Sequence, residues 1–336
     1  MYIAFPVVVC YNCNKIILLL VRDMTKKDLR KRQAELESKG LYDVDMNEEH
    51  RTFDALPIDG DFNYLPVKFS ERFRRCWLLT VVKIFGPVIT WFSLGARVKG
   101  RKNLRALKGK GAISVCNHVH TLDTLLIKNA LGSFRVFNTG SYYLIKRGWA
   151  GRIFKSGGFL PVGTTYADMK KLQDAIGVLT ARGKIVNFYP EHALWPRYEK
   201  LRPFKQGAFH YAVKFDVPVL PLFIEFRETK LRKLFHMQKK LILHILPAVY
   251  AEKEGTPREQ TRKLGEEVFA AMSEAGKSYY GRPVAYNEQE ETLFSQECAC
   301  TQDAKAEDRA EKAPQKKSPC SDTADSEIGQ EATENT

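Results

Sequence analysis

The chain has 336 residues, enough for one large domain or two small ones, and 44% of them are hydrophobic, which fits a globular core of that size. Its formal net charge is +14, so its expected partners are polyanions: nucleic acid, an anionic membrane leaflet or phosphorylated substrates. The sequence shows neither zinc-finger spacing nor an aromatic-basic RNA-binding motif, so we expect no nucleic-acid partner.

Cysteine usage bears on the cellular compartment. The chain has 7 cysteines, an odd number, and two of them fall in or beside apolar stretches. This pattern argues against a disulfide framework and favours a reducing compartment.

The first 23 residues are apolar but are interrupted by polar residues, and they lack the basic start and the small-residue cleavage site of a signal peptide. Met24 then opens a polar run that favours a helix. We therefore expect residues 1–23 to be a non-native extension produced by an upstream start, with Met24 as the true initiator. Residues 24–75 are predicted to form a polar helix followed by a loop.

An apolar stretch covers residues 76–96, where a lysine and the Gly86-Pro87 pair interrupt it. A spanning helix needs about 20 apolar residues without such a break, so we predict a bent, membrane-docking pair of helices that lies in one leaflet. Basic residues flank the stretch and suit lipid headgroups, while Trp77 and Trp91 suit the interfacial depth. The alternative is a helix pair buried within the globular domain. The expected location is the cytoplasmic face of a membrane, with peripheral or monotopic attachment.

Strand and helix signals alternate over residues 97–286, which predicts an α/β domain with a mixed central sheet and helices on its faces. Apolar runs predict strands at 112–116, 134–138, 184–189, 217–226 and 241–246, and helical spacing predicts helices at 122–131, 166–182, 204–213 and 258–275. Pro218 and Pro221 predict that the strand at 217–226 lies at an edge or is irregular.

Residues 287–336 are rich in charged and small polar residues, with acidic residues in excess, and large apolar side chains almost vanish. Such a segment cannot bury enough surface to offset the entropy of ordering. We predict a disordered acidic tail.

The segment 114–126 is the most informative for chemistry, because a predicted strand there ends in a polar cluster and a helix begins. His118 follows the strand, where catalytic groups collect in α/β proteins. Asp123 follows within the first part of the helix, close enough to accept a hydrogen bond from one ring nitrogen. The other ring nitrogen is then free to act as a general base, so we predict that His118 and Asp123 form a catalytic pair.

Two other interpretations of this segment stay open. In one, His118 caps the helix and Asp123 lies on a solvated face. In the other, His118, His120 and Asp123 bind a metal ion, as in a metal-dependent hydrolase, and His192 is the only good candidate for a fourth ligand. Our prediction is that the site holds no metal.

Four sequence blocks resemble, in order, those of the glycerolipid acyltransferase family typified by 1-acylglycerol-3-phosphate acyltransferases. Their counterparts here are Asn117-His118 with Asp123, residues 158–162, residues 189–194 and residues 217–222, and residues 203–208 resemble the family's connecting segment. Each block alone is unspecific, but their common order within one α/β pattern is hard to obtain by chance.

The resemblance implies transfer of a fatty acyl group to the hydroxyl of a lysophospholipid-type acceptor, with 1-acylglycerol-3-phosphate as the foremost candidate. The donor would be a thioester on coenzyme A or acyl carrier protein, no metal or redox cofactor would be required, and membrane lipids would be partners. Asn117, Gly158 and Glu191 are implied to bind substrate. The alternative is a membrane-surface lipid-binding protein that keeps this fold without turnover.

Two departures from the family pattern bear on the acceptor. Gly163 stands where the family often carries arginine, and His192-Ala193-Leu194 replaces the family's Gly-Thr-Arg. Those arginines are thought to hold the acceptor's phosphate, which prefers bidentate or clustered cations. The segment after Glu191 offers four replacements, and we predict that two of them, Arg202 and Lys205, bind substrate; the others are Arg197 and Lys200.

Overall fold

A mixed sheet with the strand order β1-β7-β6-β2-β5-β3-β4 lies at the centre of the computed structural model. The model describes residues 26–46, 62–142, 145, 149–234 and 238–285. Within these residues, β2 to β6 run parallel, whereas β7 pairs antiparallel with β6 and parallel with β1. The strands are β1 Arg97–Lys99, β2 Ala112–Cys116, β3 Val136–Ser141, β4 Phe159–Val162, β5 Ile185–Phe188, β6 Val219–Arg227 and β7 Lys240–Ile245.

Helices flank this sheet, and four of them, α3, α4, α5 and α6, lie between consecutive parallel strands. The helices are α1 Lys26–Ser38, α2 Phe69–Leu94, α3 Asp123–Leu131, α4 Trp149–Ser156, α5 Tyr166–Ala181, α6 Gly207–Lys214, α7 Lys230–Leu234 and α8 Pro257–Tyr280, and a 3₁₀ helix covers Arg101–Leu107. This architecture confirms the predicted mixed α/β class. The two calls on the ends of the chain, for residues 1–23 and 287–336, lie outside the described residues.

Of the two alternatives predicted for the strand at 217–226, an edge or an irregular strand, the edge is wrong, because β6 pairs with β2 on one side and with β7 on the other. Pro221 is tolerated there because the ladder to β7 begins only at Leu222, which pairs with Ile245. On the side that faces β7, the carbonyl of Pro221 still accepts a hydrogen bond from the N–H of Leu246. The N–H that proline lacks at position 221 therefore lies just beyond the end of the β6–β7 ladder, and its absence removes no hydrogen bond from that ladder.

The predicted bent helix pair is replaced by one continuous helix, α2, with 26 residues and Pro87 inside it. Its buried seam consists of Leu79, Gly86, Thr90 and Leu94. A Cβ atom at Gly86 would lie 2.5 Å from Asn129 Oδ1 of α3, and Asn129 Nδ2 donates to Thr90 Oγ1 at 3.3 Å. This close packing on α3 supports the helix across the proline, where one helical hydrogen bond is lost. Among the described residues, α2 is the helix that is long and apolar enough to cross a membrane, by length and composition alone.

The sheet brings two polar loops together. Strands β2 and β5 are parallel neighbours, with Val115 opposite Phe188 near their carboxyl ends. All five side chains of β2 are buried, so the chain becomes accessible only where that strand ends. The loops that follow β2 and β5 therefore meet at one edge of the sheet, the usual place for a site in a parallel α/β fold.

Candidate active site

The loop after β2 is fixed first by Asn117, whose side chain bridges to β6. Its Nδ2 donates to the carbonyl of Ile224 at 3.1 Å, and its Oδ1 accepts from the N–H of the same residue at 2.8 Å. The side chain thus continues the β2–β6 pairing one residue past the end of β2. Asn117 is 2% exposed, so it holds the loop rather than facing a substrate, which corrects the prediction of a substrate-binding side chain.

His118 and Asp123 lie together as the sequence predicts. His118 Nδ1 is 3.2 Å from Asp123 Oδ2, and their side chains are 21% and 0% exposed. No hydrogen bond to His118 Nε2 is found within the described part of the chain. The geometry therefore places one ring nitrogen of a partly exposed imidazole against a buried carboxylate and leaves the other nitrogen without a hydrogen bond among the described residues.

Asp123 is held by the backbone around it. Its Oδ2 accepts from the N–H groups of Val119 and His120, both at 2.9 Å, in addition to His118. Asp123 is also the first residue of α3, where the positive end of the helix dipole stabilises an anion. Because Oδ2 already accepts from two N–H groups, it is an acceptor toward His118 as well, and the proton of this hydrogen bond is the one on Nδ1.

His120 has a different environment from His118. Its Nδ1 accepts from the N–H of Leu122 at 3.0 Å, so this nitrogen carries no proton. Burial lowers the pKa of His120 below its usual value, which keeps the ring neutral near pH 7. Within the described ranges, no group of three or more histidine, cysteine, aspartate or glutamate side chains is arranged to hold a metal ion.

Tyr189, in the loop after β5, stacks on the imidazole of His118 with ring centroids 3.9 Å apart and an interplanar angle of 18°. Its hydroxyl lies 3.2 Å from Thr124 Oγ1 of α3. Burial beside Asp123 raises the pKa of Tyr189 well above its usual value, so the phenol stays protonated. The ring restricts the plane of the imidazole, a role that the sequence analysis missed; its one signal was an aromatic residue directly before Pro190-Glu191.

Glu191 links the loop after β2 to the loop after β5 through hydrogen bonds. Its Oε2 accepts from the N–H of His118 at 3.2 Å and from Arg202 Nη2 at 2.8 Å, and its Oε1 accepts from the N–H of Arg202 at 3.1 Å. The backbone N–H groups of Trp195 and Arg197 donate to the carbonyls of His118 and Val119 at 3.1 and 2.9 Å. Backbone hydrogen bonds thus join the loop after β5 to the loop after β2 that carries His118.

The segment after α1 packs against the outer side of this loop. Trp195 is 0% exposed and donates from its indole nitrogen to the carbonyl of Val44 at 2.9 Å, while Asp45 Oδ1 accepts from the N–H of Leu194 at 3.2 Å. On α1 itself, Gln33 Nε2 donates to the carbonyl of Pro196 at 2.9 Å. Sequence analysis could not find these contacts, because they join residues about 150 positions apart.

Two residues of the loop adopt the left-handed backbone region that favours glycine, His192 with φ 68° and Arg197 with φ 62°. His192 stands where the resembled family has glycine, so the histidine keeps a backbone conformation suited to glycine. Gly163, the other departure, has no space for a side chain, because a Cβ atom there would lie 2.4 Å from Cβ of Asp168. Asp168 caps α5 by accepting from the N–H of Thr165 at 3.2 Å.

The structure corrects one predicted phosphate ligand and leaves another in place. Arg202 has a fully buried side chain that is committed to Glu191 and to the carbonyls of Tyr42 and Ala193. It cannot reach an acceptor in this arrangement, so the prediction that it binds substrate is wrong; its burial follows from its pairing with Glu191. Lys205 Nζ lies 3.3 Å from Asp43, and both side chains are about half exposed, so its predicted role stays a prediction.

Gly158 and Glu191 also differ from the predicted picture of direct substrate contact. Gly158 has φ 80°, and a Cβ atom there would lie 2.6 Å from Arg75 Nη1, so this glycine makes room for an arginine of α2. Glu191 is 2% exposed and acts on the backbone of His118. Both are positioning residues in this structure.

In comparisons with known proteins, the matching family model and the matching curated proteins are all described as acyltransferases. Residues 95–225 match the family model described as acyltransferase. Over 198 residues the chain is 26% identical to 1-acyl-sn-glycerol-3-phosphate acyltransferase of Saccharomyces cerevisiae, covering 55% of this chain and 62% of that protein. Over 160 residues it is 26% identical to the chloroplastic 1-acyl-sn-glycerol-3-phosphate acyltransferase BAT2 of Brassica napus, covering 46% of this chain and 44% of that protein. Each match therefore spans less than two thirds of the relative.

Among solved structures, the 1-acyl-sn-glycerophosphate (LPA) acyltransferase PlsC from Thermotoga maritima is similar to this chain. The alignment covers 60% of this chain and 80% of that chain, at 23% sequence identity and a TM-score of 0.45.

Replacing Arg202 tests its reassignment from a ligand to an internal support. Arg202→Met leaves Glu191 as an uncompensated buried charge, so we expect the free energy of unfolding to fall by about 3–5 kcal/mol in denaturant titrations. The double variant Glu191→Gln/Arg202→Met should lose less than the sum of the two single variants, because each single change leaves its partner unpaired. Arg182→Met, an exposed arginine after α5, is the control and should change stability by less than about 0.5 kcal/mol. Additive losses would contradict the pairing.

Proposed function

We propose that this protein transfers a fatty acyl group from a thioester to the hydroxyl of a lysophospholipid-type acceptor, foremost 1-acylglycerol-3-phosphate. The match of residues 95–225 to the acyltransferase family model supports this proposal. The observation that carries the proposal is the partly exposed imidazole of His118, whose Nδ1 is held by the buried carboxylate of Asp123 and whose Nε2 has no hydrogen bond among the described residues. A lipid-binding module without turnover has no need of that pair.

The reaction proceeds by direct attack. Asp123 fixes the proton on Nδ1 of His118, so that Nε2 accepts the proton of the acceptor hydroxyl. The acceptor oxygen attacks the thioester carbonyl, the tetrahedral intermediate collapses, and the thiolate leaves and takes up the proton from the imidazolium. Tyr189, stacked on the ring, and Glu191, bonded to the His118 N–H, keep the imidazole in place through these steps.

The donor in this proposal is a fatty acyl thioester of coenzyme A or of acyl carrier protein. Both are acidic, and a chain with a formal net charge of +14 attracts them electrostatically. The proposed transfer uses neither a metal ion nor a redox cofactor, because proton transfer through His118 and departure of a thiolate complete the chemistry.

Arg197 is the cation best placed for the acceptor's phosphate. Its backbone donates to the carbonyl of Val119, next to His118, and its side chain is exposed. Its positive charge contributes to the lowered pKa of the nearby His120. Arg197 thus offers a guanidinium beside the catalytic loop in a chain whose third block lacks the family's arginine, and a guanidinium binds phosphate oxygens in pairs.

Membrane docking through α2 brings this site to its insoluble substrates. The face of α2 opposite the buried seam exposes large apolar side chains, with exposed fractions of 63% at Phe73, 64% at Trp77 and 63% at Trp91. Two tryptophans separated by almost four turns suit a helix lying along the interface, and arginines at its first turns suit anionic headgroups. The expected location remains the cytoplasmic face of a membrane, with peripheral or monotopic attachment.

Acyl transfer from labelled oleoyl-coenzyme A and oleoyl carrier protein to a panel of lysolipids tests the reaction. We expect product formation that a chelator leaves unchanged, and rates lower by about 10²–10⁴ in His118→Ala and in Asp123→Asn, because each removes the general base or its orientation. Asp174→Asn, an exposed aspartate on α5, is the matched control and should keep the parent rate.

Full activity in His118→Ala, or loss of activity with the chelator, would overturn the proposed chemistry. No product on any acceptor, from protein that is folded and bound to vesicles, would favour the lipid-binding alternative.

The role of Arg197 is tested by comparing two acceptors. Arg197→Gln should raise the KM for 1-acylglycerol-3-phosphate by about 10- to 100-fold, as expected for loss of a charge-assisted hydrogen bond of about 1.5–3 kcal/mol. The kcat/KM for monoacylglycerol, which has no phosphate, should stay the same, and Arg182→Gln should leave both acceptors unaffected. Equal losses on both acceptors would assign Arg197 to the structure of the loop.

Vesicle binding tests the docking face. Trp77→Ser/Trp91→Ser should weaken binding to neutral phosphatidylcholine vesicles at least tenfold, because burial of one large apolar side chain contributes about 1.5–3 kcal/mol and 1.4 kcal/mol is a factor of ten. Tyr166→Ser/Tyr250→Ser removes two exposed aromatic rings elsewhere (86% and 53% exposed) and should bind like the parent. Equal binding of vesicles by the two double variants would contradict the docking proposal.

A further inference from the structure

A cavity of about 210 Å³ lies between the first turns of α2, the helix α4 and the strand β3. Its walls carry four cationic side chains and one carboxylate: Arg74, Arg75, Arg152, Lys155 and Glu71. Neither His118 nor any residue that contacts its side chain lines it. The cavity is therefore separate from the site at His118, and its charge is strongly positive.

Two of the four cations lack a counter-ion. Among the described residues, Arg74 and Arg152 form no ion pair and no side-chain hydrogen bond, and both are exposed at the cavity. Lys155 is partly neutralised by Glu71, with Nζ 3.4 Å from Oε1. Glu71 also accepts from the N–H groups of Val67 and Lys68 at the start of α2, at 3.0 and 3.3 Å, so its charge is shared.

Arg75 forms the inner wall and is rigidly placed. Its guanidinium carbon lies 4.2 Å from the ring centroid of Phe137, and Nη1 donates to the carbonyl of Ser156 at 3.3 Å. Gly158 leaves the space that this guanidinium occupies, since a Cβ atom there would lie 2.6 Å from Nη1. A fixed guanidinium flanked by two unpaired ones is the arrangement that binds an oxyanion with several oxygens.

The surroundings indicate where that oxyanion comes from. Large apolar side chains face solvent on the two helices that supply the cavity's cations: Phe73 and Trp77 on α2 are 63% and 64% exposed, and Trp149 and Ile153 on α4 are 62% and 45% exposed. A soluble phosphate has no use for exposed apolar side chains on the same helices, whereas a lipid carries acyl chains and glycerol together with its phosphate.

We propose that this cavity binds the phosphate of an anionic membrane lipid, with preference for a phosphomonoester headgroup. A monoester offers three terminal oxygens and a second negative charge to Arg74, Arg75 and Arg152, whereas a diester offers two oxygens and one charge. The proposal does not rest on the acyl-transfer chemistry, because the cavity is separate from His118 and would anchor the protein whether or not turnover occurs.

The test uses the full chain and vesicles of matched surface charge. Phosphatidylcholine vesicles are doped with phosphatidic acid or with phosphatidylglycerol, and the dissociation constant is measured by co-sedimentation. We expect the parent to bind phosphatidic acid vesicles at least tenfold more tightly, and Arg74→Gln/Arg152→Gln to abolish this preference. Lys108→Gln/Arg182→Gln, which removes two exposed positive charges elsewhere, should weaken both types of vesicle equally and keep the preference.

The source of the phosphate is separated by competition. Glycerol 3-phosphate or inorganic phosphate at millimolar concentration should leave the binding of phosphatidic acid vesicles within about twofold of its value, because a membrane lipid engages apolar residues and phosphate together. Complete displacement by either compound would assign the cavity to a soluble phosphate and overturn the lipid proposal. Equal loss of preference in the two double variants, or no preference in the parent, would reduce the cavity to general electrostatic attraction and also overturn it.

Discussion

The buried ion pair between Glu191 and Arg202 is the interaction on which the arrangement of the candidate site depends. Both side chains are fully inaccessible, so each charge needs the other and every nearby donor or acceptor that the backbone can supply. Those backbone partners are the N–H of His118, the carbonyl of Ala193 and the carbonyl of Tyr42. Three segments far apart in sequence are held together in this way, because separation would leave a charge buried and unpaired.

The His118–Asp123 pair is built on that support by a division between buried and accessible atoms. The carboxylate is buried at the start of α3 and accepts hydrogen bonds from two backbone N–H groups. The imidazole is partly exposed and is confined by the Tyr189 ring on one face. A low local dielectric strengthens the hydrogen bond to Nδ1, while Nε2, which has no hydrogen bond among the described residues, stays available to a substrate. The same residues in a fully buried or fully solvated corner would lose one of these two properties.

The sequence predicts well what depends on neighbouring residues. Uniform apolar runs identify the buried strands, such as β2, and the polar cluster after β2 predicts the contact between His118 and Asp123. It predicts poorly what depends on distant partners. The packing of Gly86 on Asn129 makes α2 a single helix, and the end of the β7 ladder makes Pro221 acceptable in an inner strand. Arg202 and Arg197 are indistinguishable in a local pattern, yet only the fold decides that one supports the site and the other faces solvent beside it.

That distinction among arginines shows why net charge alone says little about what this chain binds. A formal charge of +14 includes cations that neutralise internal carboxylates, cations that are solvated on the surface, and cations that lie unpaired at concave sites. Only the last group retains free energy of interaction for a ligand, because a paired cation must first give up its partner. Within the part of the chain that the structure describes, cations without an ion pair lie at the α2–α4 cavity and beside the loop after β2, and the helix α2 that borders the cavity also carries an exposed apolar face. A phosphate held in that cavity and apolar side chains inserted beside it would act through one rigid helix, so that engagement of either raises the effective concentration of the other.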